Sequence, residues 1–218
     1  RVSRGLGDVY KRQMWYYARY EGNFLPSPKK TFNPMMLMAI VILVPGTQFA
    51  ANFIANLTGY IRPDWLQQYN ELFETSGITD TTFVTVLYSV ILAPICEELI
   101  FRGVTMRCAR KALPFALANL MQAALFGLFH LNWIQGIYAF ALGIVLGYVC
   151  ECGGSIYYSM GLHMLFNLWG TLSGFFPDPG NSVVVFVVVI VVTIVSLVVG
   201  FVLFNKGRRK LPINSTGI

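Results

Sequence analysis

The chain has 218 residues, of which 56% are apolar and only 12% are charged. A soluble domain carries about 25% charged residues, and here the charges lie almost entirely between long apolar runs, which excludes an ordinary soluble globular protein. The formal net charge of +6 does not indicate nucleic-acid binding, because the basic residues flank apolar runs and form no stripe interleaved with aromatic residues. Anionic lipid headgroups are their expected counterpart.

The N-terminal residues 1–13 are basic, contain glycine and lack hydrophobic periodicity. They have neither the apolar core nor the small-residue cleavage site of a signal peptide. Two interpretations stay open: the segment is not native coding sequence and Met14 is the true start, or the chain is a fragment that lacks upstream helices. Residues 1–33 as a whole are predicted to form a basic cytoplasmic segment.

Six apolar segments follow, each close to the roughly 20 helical residues that cross a bilayer. They run from Pro34 to Leu57, from Thr82 through Pro94, from Leu113 to Leu131, from Ile134 to Cys150, from Ser155 to Phe176, and from Ser182 to Phe204. Because lipid offers no partners to backbone groups, such segments are expected to be helical. Ile61 to Asp80 predicts an interfacial loop or short helix.

The predicted fold is therefore all-α, with six or more transmembrane helices around a polar intramembrane cavity. Residues 34–205 form this domain, its motifs lie in 82–170, and residues 206–218 form a basic cytoplasmic tail. With a cytoplasmic N-terminus and six crossings, 15 of the 16 Lys and Arg residues lie on the cytoplasmic side, Arg62 being the exception. This distribution predicts cytoplasmic termini in an integral membrane protein, expected in a prokaryotic plasma membrane.

A few ionisable residues lie within the apolar segments. Glu97, Glu98 and Arg102 belong to the second segment, His130 ends the third, and His163 lies in the fifth. Each such residue costs about 2.5–3.5 kcal/mol on membrane-insertion scales and is a functional-site candidate by default. The two histidines are the only ones in the chain.

Helical spacing gives these residues different candidate roles. Glu98 and Arg102 are four residues apart, so they share a helix face and can pair. Glu97 lies about 100° round the helix and is left without that partner, which suits a general base. His163 and Asn167, also four apart, project an imidazole and an amide together. Taken one at a time, each feature has a structural explanation: an ion pair for Glu98 and Arg102, packing for a histidine, and an interhelical contact for Asn167. Taken together, these polar residues on three apolar helices are hard to assign to packing alone.

The same residues match a family in chain order. Glu97-Glu98-x-x-x-Arg102, Phe126-x-x-x-His130 and His163-x-x-x-Asn167 resemble the motifs of the CPBP intramembrane proteases, also called the type II CAAX-prenyl endopeptidase or Abi family. The likeness extends through Phe140-x-x-Gly143-x-x-x-Gly147, Glu151 and Gly154-Ser155-Ile156. It covers about residues 82 to 170.

This resemblance implies an intramembrane endopeptidase in which Glu97 and His130 activate water, while His163 and Asn167 stabilise the tetrahedral oxyanion. Glu98 and Arg102 would hold the site in shape. The family has been called metalloprotease, so a divalent metal such as zinc on Glu97, His130 and His163 is an open option, although no H-E-x-x-H helix occurs. The implied partners are a peptide or protein substrate, prenylated or a bacteriocin, and membrane lipids, with no nucleic acid.

This chemistry sets geometric requirements. The second helix must continue to about Ala109 with Arg102 held internally, and the third must tilt or start late, so that Glu97 and His130 reach one depth. Water is expected to enter from the cytoplasm. Two alternatives are a non-catalytic membrane immunity or interaction protein and a proton- or cation-coupled transporter, the latter without support from an inverted repeat.

Overall fold

The computed structural model describes residues 32–75, 82–173 and 182–208, and within these ranges every regular element is a helix. Residues 1–31, which include the questioned segment 1–13, lie outside the described residues, as do residues 209–218 of the predicted cytoplasmic tail. The predicted all-helical class is confirmed.

Seven helices make up the described chain. They are α1 (Pro34–Ile61), α2 (Pro63–Thr75), α3 (Phe83–Arg110), α4 (Phe115–Phe129), α5 (Trp133–Gly153), α6 (Ile156–Ser173) and α7 (Val183–Arg208). Each predicted apolar segment corresponds to one of them, and α2 falls in the predicted interfacial stretch. Helices α1, α3, α5 and α7 are long and apolar enough to cross a membrane.

The prediction of six or more membrane crossings is therefore not confirmed. Helix α4 has only 15 residues, fewer than the roughly 20 that span the hydrocarbon. Helix α6 carries His163 and Asn167 among its 18 residues, and these polar side chains lower its apolar character. Four crossings are supported by length and composition.

The helices run alternately up and down, so the N-termini of α1 and α6 lie at the same end of the bundle as the C-termini of α3, α5 and α7. At one end, the Asn33 backbone N–H donates to the Tyr158 hydroxyl at 2.8 Å and the Asn33 side chain donates to the Gly207 carbonyl at 3.2 Å. Arg110 pairs with Glu151 at 3.0 Å at this end. We call it the basic end, because it also carries Arg107, Lys111, Lys206 and Arg208.

The opposite end, which we call the α2 end, is organised by aromatic contacts. Trp65 of α2 stacks on Trp133 at the start of α5, with ring centroids 5.3 Å apart. The Arg62 guanidinium lies 4.2 Å from the Trp65 ring centroid, and it also pairs with the exposed Asp64, which holds the pKa of that carboxyl below its usual value. Tryptophan at this position is typical of a membrane–water interface.

Helices α1 and α7 pack closely where α1 contains Pro45. The Ser196 hydroxyl of α7 accepts a bond from the Gly46 N–H at 2.9 Å and donates to the Ile42 carbonyl. The hydroxyl thereby bridges the Gly46 N–H and the Ile42 carbonyl of α1, next to Pro45, which has no N–H of its own. Gly200 allows this approach, since a Cβ there would lie 2.6 Å from the Leu43 side chain.

Candidate active site

Pro94 in α3 leaves a carbonyl group without its helical donor. The first π-helical turn, Tyr88–Leu92, directs the Ala93 N–H to the Tyr88 carbonyl. The next N–H in that register would belong to Pro94, which has none, so the Ser89 carbonyl needs another partner. Asn167 of α6 supplies it, with Nδ2 donating to Ser89 O at 2.8 Å. Asn167, one of the predicted site residues, is thus held by the carbonyl that Pro94 leaves without a helical donor.

Helix α3 continues to Arg110, as the chemistry requires, and buries an ion pair in its middle. The Arg102 Nη1 donates to Glu98 Oε1 at 2.7 Å, and both side chains are 0% exposed. A second π-helical turn, Leu99–Met106, begins directly after Glu98. Within it, the Thr105 hydroxyl donates to the Ile100 carbonyl at 2.9 Å. The ion pair therefore spans the start of this turn, with Glu98 just before it and Arg102 within it.

Glu98 joins α3 to α6. Its Oε1 atom receives Arg102 and also lies 3.0 Å from His163 Nδ1. Because a carboxylate oxygen accepts hydrogen bonds, His163 donates from Nδ1 to this oxygen. Glu98 is therefore a shared acceptor for a guanidinium and an imidazole, and it fixes the ring of His163.

Besides Glu98, two further groups contact the Arg102 guanidinium. Its Nη2 donates to the Gly143 carbonyl of α5 at 3.2 Å, and Gln122 Nε2 of α4 donates to the same carbonyl at 2.8 Å. The guanidinium carbon lies 4.5 Å from the centroid of the Phe126 ring, close enough for a cation–π contact. Arg102 thus connects α3 with both α4 and α5.

Helices α4 and α5 approach closely enough for these contacts because α5 has glycine at its contact positions. A Cβ on Gly147 would lie 2.6 Å from Gln122 Nε2 and closer still to Asn119 Oδ1. A Cβ on Gly143 would lie 3.1 Å from the Ala123 backbone. Gly143 and Gly147 therefore permit the close contact between α4 and α5. Asn119 completes it by donating to the Ile144 carbonyl at 3.0 Å.

Gln122 and Asn119 were not among the predicted site residues. They are three residues apart on α4, and Gln122 donates to Asn119 Oδ1 at 2.7 Å. Their spacing in an apolar helix could have predicted an interhelical contact, since amide side chains in membrane helices hydrogen-bond to neighbouring helices. They position the Gly143 carbonyl beneath Arg102.

Glu97 has a different environment from Glu98. Its side chain is 18% exposed, and its Oε2 lies 3.7 Å from His163 Nε2, which is within ion-pair range but too long for a direct hydrogen bond. Both ring nitrogens of His163 therefore face carboxylates, Nδ1 toward Glu98 and Nε2 toward Glu97. Glu97 is the carboxylate of the two that has access to water.

His130 caps the C-terminal end of α4 and has a defined orientation. Its Nδ1 lies 2.8 Å from the Phe126 carbonyl, four residues back. Since a carbonyl only accepts, Nδ1 carries the hydrogen in the neutral ring, and Nε2 presents its lone pair. The Phe126 ring centroid is 4.9 Å from that of His130 and 5.7 Å from that of His163. Phe126 thus contacts both imidazoles, and among the described residues no hydrogen bond or ion pair joins His130 to Glu97.

The metal option does not fit this arrangement. In residues 32–75, 82–173 and 182–208, no three His, Cys, Asp or Glu side chains are grouped so that they could hold a metal ion. Each histidine uses its Nδ1 for a bond within the protein, His163 to Glu98 and His130 to the Phe126 carbonyl, so only Nε2 of each ring is left to face another group. The set Glu97, His130 and His163 is therefore not assembled as a ligand set.

A polar cavity of 510 Å³ reaches Ser89 and Asn167 from the α2 end. It lies between α1, α2, α3, α5 and α6. The sequence predicts entry from the cytoplasm, which the distribution of Lys and Arg assigns to the basic end. The cavity lies toward the opposite end, since Tyr69 of α2, Thr85 in the first turn of α3 and Gln135 in the first turn of α5 line it.

Comparison with known proteins gives one family. Residues 79–169 match the family described as Rce1-like, the type II CAAX prenyl endopeptidases of Rce1-like type. The match includes all six predicted site residues and covers less than half of the 218 residues. No curated protein and no solved structure matched the chain. The resemblance that the motifs indicate is confirmed.

Proposed function

Given that residues 79–169 match this endopeptidase family, we propose that the chain is an intramembrane endopeptidase in which Glu97 activates the attacking water. The observation that supports this role is the contrast between two neighbouring carboxylates. Glu98 is fully buried and bonded to Arg102 and His163, whereas Glu97 is partly exposed and faces His163 at 3.7 Å. Only Glu97 is free to meet water and substrate together.

In the proposed reaction, Glu97 takes a proton from water while the water oxygen bonds to the carbonyl carbon of the substrate. His130 Nε2 has a free lone pair because Nδ1 carries the hydrogen that bonds to the Phe126 carbonyl, and it accepts a hydrogen bond from the second O–H of that water, which stays on the oxygen. The tetrahedral oxyanion is stabilised by His163 Nε2 and by the N–H of Asn167 that Ser89 does not use. When the C–N bond breaks, Glu97 returns its proton to the leaving amine.

The substrate is proposed to be a peptide at the membrane. A prenylated C-terminal peptide, as the family description names, and a bacteriocin or other peptide that is matured or inactivated remain equal candidates. The basic end is proposed to face the cytoplasm of a prokaryotic cell, since Lys and Arg accumulate on that side. A non-catalytic immunity protein with the same cavity is the alternative that the following experiment distinguishes.

The test is cleavage of an unbiased peptide library by the purified protein in nanodiscs. The wild type should cleave a defined bond. Glu97→Gln should lower kcat/KM by about 10²–10⁴-fold, the usual contribution of a general base. Glu71→Gln, which alters an exposed carboxylate of α2, is the matched control and should cleave like the wild type. Cleavage by Glu97→Gln at the wild-type rate would refute the assignment. A chelator added to the wild type tests metal dependence in the same assay, and no loss is expected.

A further inference from the structure

The polar cavity at the α2 end has a distinctive lining. Its walls carry primary amides from three helices, Gln48 and Asn52 of α1, Gln135 of α5 and Asn167 of α6. The other lining residues are hydroxyl-bearing, aromatic or small, and none of them is Asp, Glu, Lys, Arg or His. A volume of 510 Å³ is in the range of ligand pockets. The lining therefore suits an uncharged molecule with many hydrogen-bonding groups.

Gln48 has a buried hydrogen-bond acceptor that no group of the described chain satisfies. Its side chain is 7% exposed, and its Oε1 is buried without a hydrogen-bond partner in the described chain. Its Nε2 makes one long contact of 3.4 Å with Asn52 Oδ1. A buried acceptor without a donor costs free energy. Because the Gln48 side chain lines the cavity, rotation of its amide about the terminal torsion would bring Oε1 to a donor bound there.

Space is kept open in front of the Gln48 amide. Gly170 of α6 faces it, and a Cβ added to Gly170 would lie 3.9 Å from Gln48 Nε2. Asn167, three residues before Gly170, lies on the same face of α6 and is held by its bond to Ser89. His163 is one further turn along α6, about 6 Å of helix rise from Asn167. A molecule in the cavity would therefore extend toward the proposed catalytic groups.

We propose that this cavity binds an extended, uncharged peptide segment of the substrate, and that Gln48 Oε1 accepts one of its backbone N–H groups. The proposal rests on the endopeptidase function proposed above. A peptide unit offers one donor and one acceptor, which primary amides can match edge to edge. A charged substrate side chain finds no counter-ion there, and a hydrocarbon chain offers no donor for Gln48. A lipid or prenyl chain would therefore bind elsewhere.

Binding is measured separately from cleavage, in protein that carries Glu97→Gln to stop hydrolysis. Peptides of the unbiased library are captured on this protein in nanodiscs and identified by mass spectrometry. The captured set should be depleted in charged residues over the bound stretch. For the tightest peptide, each backbone N–H is then replaced in turn by an ester oxygen. One replacement should weaken binding about tenfold, the effect of losing one hydrogen bond.

The same ester series is repeated with Gln48→Leu added. The variant should bind the parent peptide about tenfold more weakly and should lose no further affinity at the sensitive ester position, because its acceptor is gone. Gln67→Leu, on the exposed face of α2, is the control and should behave like the protein without it. Gln48→Met replaces Gln48→Leu if the latter does not fold.

Three results would overturn the proposal: no peptide captured, no ester position that weakens binding, or equal ester sensitivity with and without Gln48. In the last case the buried acceptor is satisfied by water alone. Cleavage by protein with Glu97 intact is a separate readout. If cleavage persists while the Gln48 effects are absent, only the proposal that the cavity binds a peptide through Gln48 fails. If no cleavage occurs but peptides bind through Gln48, only the catalytic proposal fails.

Discussion

Replacing Arg102 by methionine should strongly destabilise the fold, because it leaves the Glu98 carboxylate buried without its main counter-ion. The two side chains are 2.7 Å apart and both 0% exposed. Removing one partner of such a pair costs about 3–5 kcal/mol. His163 still contacts Glu98 at 3.0 Å, which favours the lower limit, whereas losing the bond to the Gly143 carbonyl adds about 1 kcal/mol. We expect a total loss of about 4 kcal/mol in the free energy of unfolding.

The assay is SDS-induced unfolding in mixed micelles, followed by tryptophan fluorescence, on a double-mutant cycle. Glu98→Leu combined with Arg102→Met removes both charges and should recover most of the loss, since apolar replacements of a buried pair are often nearly neutral. Arg62→Met, in the exposed pair with Asp64, is the control and should unfold like the wild type. Loss of less than about 0.5 kcal/mol in Arg102→Met, or costs that simply add in the double variant, would refute the buried-charge reasoning.

Two further predictions concern helix contact and catalysis. Gly147→Val should prevent folding or cost at least about 3 kcal/mol in the free energy of unfolding through overpacking, because its Cβ would collide with Asn119 and Gln122. Gly161→Ala is the control, since nothing lies within 4 Å of the added Cβ. It should raise the midpoint of SDS unfolding, because alanine is the better helix former. His130→Gln should lower peptide cleavage by about 10²-fold or more without changing that midpoint, and a fully active His130→Gln would show that this imidazole takes no part in the reaction.

The sequence predicts the helices well because membrane segments are defined by length and apolarity, both of which are local properties. Every predicted segment contains a helix, and α3 extends to Arg110 with Arg102 inside the protein, as the proposed chemistry demands. The number of crossings is less certain from sequence, because α4 is short and α6 is made more polar by its own site residues. Those residues lower the very signal by which a spanning helix is recognised.

The partners of the site residues are less predictable, because they depend on how helices meet. The spacing of Glu98 and Arg102 predicts their pairing, but the third partner, His163, comes from a helix 65 residues away along the chain. The bond from Asn167 to Ser89 depends on a π-helical register beside Pro94, which spacing rules for ideal helices do not describe. Gln48 and Gln122 have no sequence feature that separates a cavity-lining amide from an interhelical one.

Charge balance ties the proposed chemistry to the observed geometry. A net charge is costly within a membrane helix bundle, and Glu98 with Arg102 is already neutral. The proposed mechanism requires His163 to donate from both ring nitrogens, Nδ1 to Glu98 and Nε2 to the oxyanion. The positive charge of that ring would offset the negative charge of Glu97, so the four groups together would sum to zero before the reaction. When Glu97 takes a proton from water, the new oxyanion carries the negative charge that Glu97 gives up. The sum stays zero through the addition step, provided that the His163 Nε2 proton remains in place to face the oxyanion. The 3.7 Å separation between Glu97 and His163 Nε2 is longer than a direct hydrogen bond, so in the proposed reaction Glu97 can bond to water and His163 Nε2 to the oxyanion.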